Sequence, residues 1–316
     1  MRIVVTGAAG FIGSHLAERL AGEGHRVTGI DCLTDNYARA IKERNVGDLR
    51  GKGVEVLPLD LAADDIRGAV RDAEAVFHLA AQPGLAASTP FEVFERNNVT
   101  ATHRLMDALR ESPGFRLFVH ISTSSVYGAN ATGDESSEPC PTSHYGVTKL
   151  AAEQLVLAAS RDRGFPACSM RLFSVYGPRE RPEKLFPRLI RAIMEGTAFS
   201  LFEGSEHHLR SFTYVGDAVE GLAAALRHPD LCVGQIFNIG SESAITTGDG
   251  ISIVENILGA RAKIVKLPRR PGDQLATRAN IGKARRLLGY APRVAVEEGL
   301  AREVAWHRDG VTGNHQ

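Results

Sequence analysis

The sequence predicts an α/β protein built on a doubly wound parallel sheet, and three observations favour that fold class. Short, almost wholly apolar runs alternate with stretches of helical periodicity through the first half of the chain. Strands that are apolar on both faces are typical of a parallel sheet covered by helices on each side. The length of 316 residues also exceeds one simple core, so we expect a second, smaller C-terminal α/β domain.

Seven segments have the length and composition of buried strands. They are Arg2–Thr6, Val27–Ile30, Val54–Leu59, Ala75–Leu79, Leu117–Ile121, Cys168–Phe173 and Gln235–Ile239. The helical periodicity of apolar residues predicts helices at Phe11–Ala21, Asn97–Leu109, Tyr145–Ala159, Leu185–Met194 and Thr213–Leu226. From Ser241 onward we expect short helices alternating with loops. The predicted domains interleave, as 1–173 with 212–240 and 174–211 with 241–316.

Charge and composition exclude several classes of protein. The 37 Lys and Arg residues balance 37 Asp and Glu residues, whereas a nucleic-acid binder usually carries a basic excess or stripe. No apolar run approaches the roughly 18 residues of a membrane span, and no leader-like segment precedes the first strand. The four cysteines lie far apart, so we expect them to be reduced and buried in a cytoplasmic protein without a metal site. His207 and His208 are interpreted as surface residues.

A glycine-rich turn joins the first strand to the first helix and is typical of a dinucleotide site. Gly7 permits the tight turn, Gly10 lets the backbone approach a pyrophosphate, and Gly13 allows close helix–strand packing. Phe11 and Ile12 open the helix whose N-terminus favours the phosphates.

The second strand ends at Asp31, where an acid accepts hydrogen bonds from a ribose diol and repels the extra phosphate of NADP. This predicts NAD as the cofactor. Arg39 and Lys42 lie nearby and are interpreted as solvated helix charges. Asp60 and Leu61, after the third strand, either border the adenine or cap a helix.

Tyr145 and Lys149 stand four residues apart at the start of a predicted helix, so both lie on one face. A nearby ammonium and a nicotinamide cation both favour the phenolate of a tyrosine, which can then act as a base in hydride chemistry. This spacing also arises by chance in many helices. Hydroxyls crowd the end of the preceding strand at Ser122–Ser125 and are expected to point into the same site.

Together these motifs resemble the extended short-chain dehydrogenase/reductase family, in its NAD-dependent sugar-nucleotide epimerase/dehydratase branch. The resemblance also includes His78–Ala81, Asn98 and the run Arg171–Pro178. It implies a Rossmann-type domain, a small C-terminal substrate domain, a retained NAD and a homodimer. It further implies that Leu79, Ala80, Ala81 and Asn98 contact the cofactor, and that Thr123, Tyr145 and Lys149 are catalytic.

The residues after Thr123 favour one reaction within the branch. In 4,6-dehydratases an Asp and a Glu stand at these places, and in UDP-glucuronate decarboxylases a Glu stands where Ser125 does. Ser124 and Ser125 cannot supply carboxylate acid/base chemistry near neutral pH, so C4 epimerisation is favoured.

The run Val175–Pro182 most resembles that of bacterial UDP-glucuronic acid 4-epimerases. The resemblance implies that Arg181, helped by Ser174, holds a sugar carboxylate, which a guanidinium matches bidentately. Relatives often carry an arginine shortly after Pro83–Gly84, and here Leu85 and Ala86 stand there instead. The same resemblance places the UDP on Leu185, Arg188, Ser200, Phe202, Arg210 and Arg270, with Ser124 and Ser125 facing the sugar.

The implied mechanism is that Tyr145, assisted by Thr123, takes the C4-hydroxyl proton while hydride passes to NAD. The 4-keto sugar then turns, and the hydride and proton return to its other face. A UDP-glucose or UDP-N-acetylglucosamine 4-epimerase and an NDP-hexose 4,6-dehydratase remain alternatives. A non-catalytic NAD-binding sensor is an alternative of a different class.

Overall fold

The computed structural model describes residues 1–84, 89–269 and 274–312. Within these residues the strands are β1 Arg2–Thr6, β2 Arg26–Ile30, β3 Glu55–Leu57, β4 Ala75–His78, β5 Leu117–Thr123, β6 Asn130–Ala131, β7 Ala167–Leu172, β8 Val175–Tyr176, β9 Ala198–Phe202, β10 Leu209–Arg210, β11 Thr213–Tyr214, β12 Ile236–Ile239, β13 Ile245–Thr246, β14 Lys263–Leu267 and β15 Ala276–Thr277. The α-helices of the same part of the chain are α1 Phe11–Gly22, α2 Arg39–Gly51, α3 Arg67–Val70, α4 Phe91–Phe94, α5 Ala101–Leu109, α6 His144–Arg163, α7 Leu185–Glu195, α8 Val215–Arg227, α9 Pro229–Cys232, α10 Thr247–Leu258, α11 Gly282–Leu288 and α12 Val296–Thr312. A π-helix, Glu95–Thr100, joins α4 to α5, and 3-10 turns occupy Ser124–Tyr127 and Ser205–His207.

The predicted fold class is confirmed: the main sheet is parallel throughout its described pairs, in the order β3-β2-β1-β4-β5-β7-β12. Strand order reverses between β1 and β4, so a crevice opens there beyond the carboxyl ends of the strands. The late strand β12 returns to this sheet beside β7, as its apolar sequence predicts.

Alternate residues of the buried strands face opposite layers of helices. On β1, Ile3 and Val5 pack into one core cluster while Val4 packs into another. This period of two explains why the strands read as continuous apolar runs.

A third core cluster belongs to the later part of the chain and holds Tyr176, Phe186, Phe212, Ile251 and Leu300 among others. It lies beside smaller sheets, one ordered β13-β10-β15-β6 and two of paired strands, β11 with β8 and β14 with β9. No helix in the described ranges is long and apolar enough to cross a bilayer.

Several predicted elements differ from the structure. Thr213 and Tyr214 form a strand paired with β8, so the helix predicted from Thr213 begins at Val215. The strand predicted at Val54–Leu59 shortens to β3. After Ser241 the prediction of short helices was wrong, because α10 and α12 span 12 and 17 residues and their apolar faces fill the third core cluster. The bounds of α2 were not predicted, although Arg39 and Lys42 were interpreted as helix charges, because this helix has few apolar residues to signal it.

Candidate active site

A cavity of about 440 Å³ opens at the carboxyl ends of the parallel strands, across the reversal point between β1 and β4. Its size falls in the range usual for small-molecule sites. The glycine turn and Asp31 line it, and Tyr145 and Arg181 line the same cavity. It therefore joins the predicted cofactor site to the predicted catalytic residues.

The glycine turn has the geometry that a dinucleotide phosphate needs. Gly7 has a φ of +70°, and a Cβ there would lie 2.8 Å from the Ala80 backbone nitrogen. A Cβ on Gly13 would lie 2.1 Å from the Gly7 carbonyl oxygen, so α1 packs directly against the turn. Gly10, Phe11 and Ile12 line the cavity at the helix N-terminus. The turn thus fits a pyrophosphate held by backbone N–H groups and the helix dipole.

Asp31 lines the cavity at the end of β2 and is firmly held. Its carboxylate accepts hydrogen bonds from the backbone nitrogens of Ala9 (3.1 Å) and Leu33 (2.8 Å). The interpretation of Lys42 as a solvated charge was wrong, since it is buried and its Nζ lies 3.7 Å from the Asp31 carboxylate. Arg39 is exposed and pairs with Glu43. Asp31 and Lys42 together form a buried, charged edge of the cavity.

Other predicted cofactor residues divide between the cavity wall and the layer behind it. Asp60, Leu61, Leu79, Ala80 and Ala81 line the cavity. Asp60 also pairs with Arg96 at 2.6 Å.

Asn98 does not line the cavity. It lies in the π-helix, where its Oδ1 accepts from the Gln82 backbone nitrogen at 2.7 Å and its Nδ2 donates to Thr148 Oγ1 at 3.0 Å. In this structure Asn98 holds the loop that lines the site.

The Ser/Thr cluster lies where β5 ends and the 3-10 turn begins. Thr123, Ser124 and Ser125 all line the cavity. The Thr123 hydroxyl is hydrogen-bonded to Tyr145 and lies 3.2 Å from Ser125 Oγ. This brings a hydroxyl against the proposed base, as the resemblance implies.

Tyr145 is half-buried, and the loop at Gly84 packs against it so closely that a Cβ there would lie 2.7 Å from Tyr145 Cβ. Burial raises the pKa of Tyr145 above its ordinary value, while the Thr123 hydrogen bond and the positive charge of Arg181 oppose that rise. The protein alone therefore does not depress this pKa, contrary to the expectation from Lys149. A cationic nicotinamide beside the phenol would supply the missing charge.

Lys149 lies one helical turn further along α6, also on the cavity wall. It is buried, and burial lowers the pKa of its ammonium to about 8, against the opposing effect of Glu153. The ammonium is therefore mostly protonated at neutral pH, although its pKa of about 8 lies close to neutrality.

The predicted carboxylate-binding residues reach the cavity from either side of β8, Ser174 just before this strand and Arg181 in the loop after it. Ser174 and Arg181 both line the cavity. Arg181 Nη1 lies 3.4 Å from Glu183 Oε1 and, among the described residues, makes no hydrogen bond.

Arg179 ties the loop that carries Arg181 to α1 and α2. Its guanidinium pairs with Glu18 on α1 at 2.8 Å and with Asp48 on α2 at 3.2 Å. Its φ of +68° is unusual for a residue with a side chain. The loop that carries Arg181 is therefore fixed from the opposite side of the cleft.

The described residues predicted to bind the UDP are not among those that line this cavity. Leu185, Arg188, Ser200, Phe202 and Arg210 do not line it. Arg188 donates to the Ser200 carbonyl at 3.1 Å, and Arg210 donates to the Gln274 carbonyl at 2.6 Å. Arg270, like Leu85 and Ala86, lies outside the described residues. The UDP-binding roles remain predictions.

Sequence reasoning missed several residues of the cavity wall. Gln274 lines it and donates from Nε2 to the carbonyls of Gly128 (2.9 Å) and Ser124 (3.2 Å). Glu180 and Lys184 line it beside Arg181. Gln274 directly follows the Arg-Pro-Gly-Asp stretch, so its position along the chain was a usable signal.

The cysteines and histidines offer no obvious metal site. Cys168 and Cys232 are buried as expected, but Cys32 and Cys140 are exposed, which corrects the prediction for those two. Across the ranges that the structure describes, no group of three or more His, Cys, Asp or Glu residues could hold a metal ion.

Comparison with known proteins agrees with this geometry. Residues 3–240 match the model of the NAD dependent epimerase/dehydratase family. The chain is 37% identical to an uncharacterised UDP-glucose epimerase, YtcB, of Bacillus subtilis (strain 168), over 97% of this chain and 98% of that one. It is 32% identical to a UDP-glucuronate 4-epimerase of Thermodesulfobacterium geofontis, covering 98% of this chain and 96% of that one.

A similar solved structure is the UDP-glucuronic acid 4-epimerase of Bacillus cereus in complex with UDP-glucuronic acid and NAD. Its TM-score is 0.93 at 36% identity, over 98% of this chain and 99% of that one. With three glycines at the cofactor turn, Tyr145 and Lys149 on one helix, and these similarities over its whole length, the chain belongs to the NAD-dependent epimerase/dehydratase family.

Proposed function

We propose that the protein catalyses NAD-dependent C4 epimerisation of a UDP-sugar through a 4-keto intermediate, converting UDP-glucuronate to UDP-galacturonate. One observation carries the proposal. The glycine turn, Tyr145 and Arg181 all line one cavity, and the charge of Arg181 acts on the phenol of Tyr145. Similarity to 4-epimerases of glucuronate supports the choice of substrate.

In this mechanism Tyr145 accepts the C4-hydroxyl proton and later returns it, with the Thr123 hydroxyl as its hydrogen-bonding partner. NAD, when bound, supplies the hydride acceptor at C4 and gives the hydride back. Lys149 contributes positive charge beneath the phenol and a donor for the cofactor ribose. Ser124 and Ser125 stand where the acid and base of a dehydratase would be, and their hydroxyls cannot replace those carboxylates.

Arg181 and Ser174 would hold the sugar carboxylate. This matters because oxidation at C4 of a glucuronate gives a β-keto acid, which can lose carbon dioxide. A carboxylate held bidentately is kept in one orientation relative to the ring. Arg181 Nη1 makes no hydrogen bond among the described residues, and its ion pair with Glu183 at 3.4 Å is the contact that a sugar carboxylate would replace.

The test is to incubate the purified protein with UDP-glucuronate, without added NAD, and to follow the products by NMR. We expect UDP-galacturonate to form, and Tyr145→Phe to slow its formation by about 10²–10⁴-fold. Tyr214→Phe is a matched control, because Tyr214 lies outside the cavity and packs near Arg302. No turnover even with added NAD would exclude glucuronate, and UDP-glucose, UDP-N-acetylglucosamine and dTDP-glucose would then be tried.

Arg181→Gln separates the glucuronate assignment from the wider epimerase class. We expect KM for UDP-glucuronate to rise by about 10–100-fold, since a charge-assisted bidentate contact is lost. For an uncharged UDP-hexose KM should change little, and turnover should change only through the lost effect of the Arg181 charge on Tyr145, which is common to all substrates. A fluorescence change of bound nicotinamide on adding UDP-sugars, without any product, would instead favour the non-catalytic sensor.

We further propose that 1–173 with 212–240 bind NAD, and that 174–211 with 241–316 bind the sugar nucleotide. The division is supported by the main-sheet strands, which all fall in the first set, and by the third core cluster, which is built almost wholly from the second. The family resemblance supports a homodimer, and the four free cysteines support a cytoplasmic location.

A further inference from the structure

Three buried charged side chains lie beneath the catalytic face of α6. Lys149 is 3% exposed, Glu153 is 0% exposed and Arg171, on the neighbouring strand β7, is 1% exposed. Lys149 and Glu153 are four residues apart on one helix, so they share a face. The proposed mechanism uses Lys149 and leaves the other two without a role.

The Glu153 carboxylate is fixed by contacts from β7. Arg171 donates to it bidentately, from Nε to Oε2 at 3.0 Å and from Nη2 to Oε1 at 2.5 Å. Ser169 donates to Oε2 at 2.9 Å. The Arg171 guanidinium also lies 4.6 Å from the centre of the Tyr127 ring. Because both carboxylate oxygens are engaged, Glu153 acts on Lys149 by its charge and does not draw the ammonium away from the cavity.

The other titratable groups near Lys149 carry no charge at neutral pH. His78 on β4 and His120 on β5 are fully buried, and burial lowers the pKa of His78 to about 3 and that of His120 well below its ordinary value. Tyr145 stays protonated because burial raises its pKa. Within the part of the chain that the structure describes, Glu153 is the anion whose charge acts on Lys149.

We propose that Glu153, held in place by Arg171 and Ser169, is a positioning residue that keeps the buried Lys149 ammonium charged beneath Tyr145. The inference rests on the proposed roles of Tyr145 and Lys149. Two cations and one anion are buried together, so removing Glu153 would leave two buried cations without the anion that offsets their charge. A guanidinium cannot lose its proton in a protein, whereas an ammonium can, and Lys149 is therefore the group that would become neutral.

The experiment measures the ionisation of Lys149 directly. Protein loaded with NAD and labelled with ¹³C at the lysine ε-carbons is titrated with base and followed by NMR, and Lys149→Met identifies the signal. In Glu153→Gln we expect the midpoint of Lys149 to fall by at least about one pH unit. The double variant Glu153→Gln with Arg171→Gln removes one negative and one positive charge. In it we expect the Lys149 midpoint to return to within about half a pH unit of the wild-type value.

Ser169→Ala is the matched control, because it removes a hydrogen bond to the same carboxylate and changes no charge. It should lower stability and leave the midpoint unchanged. A purely structural role for Glu153 would affect folding in every variant and move no midpoint. The proposal would be overturned if the Lys149 midpoint did not shift in Glu153→Gln. It would also be overturned if the midpoint of the double variant stayed at the value of Glu153→Gln.

If Glu153→Gln does not fold, Glu153→Asp and the double variant decide the matter. Both keep the net charge around Lys149, so each should titrate close to the wild type, and a fall of about one unit in either would refute the inference. The pH profile of turnover gives a second readout, whose alkaline limb should move with the Lys149 midpoint. A shifted midpoint without any turnover of UDP-glucuronate would leave this inference standing and reject the proposed function.

Discussion

At the scale of single residues, a buried pair of carboxyl groups near Arg181 makes the stability of the protein depend on pH. Glu180 lines the cavity, and its carboxyl is hydrogen-bonded to that of Glu303 on α12. Burial raises the pKa of Glu180 to about 7 and that of Glu303 well above its ordinary value. Two buried carboxyls in contact cannot both ionise cheaply, so the folded protein holds protons that the unfolded chain releases near pH 4.5.

The sign of the pH dependence follows from that difference. The folded state binds more protons between about pH 4.5 and 7, so the stabilisation is complete at low pH and is lost as the pH rises through about 7. Relative to the wild type, we expect Glu303→Gln to gain about 1–3 kcal/mol between pH 5 and pH 8. Urea unfolding at a series of pH values measures this, with the exposed Glu298→Gln on the same helix as control. Parallel curves for the wild type and Glu303→Gln would contradict it.

At the scale of elements, the contact between α1 and the turn after β1 depends on the absence of a side chain. Gly13 and Gly22 both lie on α1, but a Cβ on Gly13 would meet the Gly7 carbonyl at 2.1 Å while one on Gly22 would meet nothing within 4 Å. Backbone cannot move aside as a flexible side chain can. Alanine substitutions at Gly13 and Gly22 therefore separate the effect of close packing from the effect of helix propensity.

We expect Gly13→Ala to destabilise the protein by about 1–3 kcal/mol and to reduce the NAD that copurifies with it. Gly22→Ala should keep its NAD and should unfold at the wild-type temperature or slightly above it. Thermal unfolding and the absorbance of released NAD measure both effects. If Gly13→Ala kept as much NAD as Gly22→Ala, the turn would tolerate a Cβ at position 13.

At the scale of the whole molecule, the prediction of a homodimer concerns the outer face of the helices behind the site. Phe91 on α4 and Val147 on α6 are large apolar side chains exposed by 41% and 44%. Burying such residues between two copies would be favourable. We expect light scattering to give twice the chain mass of 34.0 kDa, and Val147→Glu to shift the protein to the monomer.

Val233→Glu is the control for that experiment, because Val233 is also exposed but follows α9 in another part of the molecule. It should leave the mass unchanged. Circular dichroism would show that Val147→Glu remains folded. A wild-type monomer would reject the dimer.

Much of the fold and the centre of the site could be predicted because they depend on short stretches of sequence. Buried parallel strands are apolar along their length, and β1 has the bounds predicted for it. The glycine turn, Asp31, Tyr145 and Lys149 lie at strand ends or at a helix start, and the parallel sheet brings such ends to one edge. Local pattern was enough to place them in one cavity.

The remaining features depend on residues far apart in the sequence, and packing alone could reveal them. The sequence suggests a surface charge at Lys42, but the packing of α2 places this residue beside Asp31. Glu180 contacts Glu303 because α12 packs behind the loop that holds Glu180. The contact of Arg171 with the Glu153 carboxylate, on a neighbouring helix, is likewise visible only in the structure. Charge, burial and pKa are set by every neighbour in space, so the electrostatics of this site came from the tertiary structure, whereas its chemistry could be inferred from the order of residues along the chain.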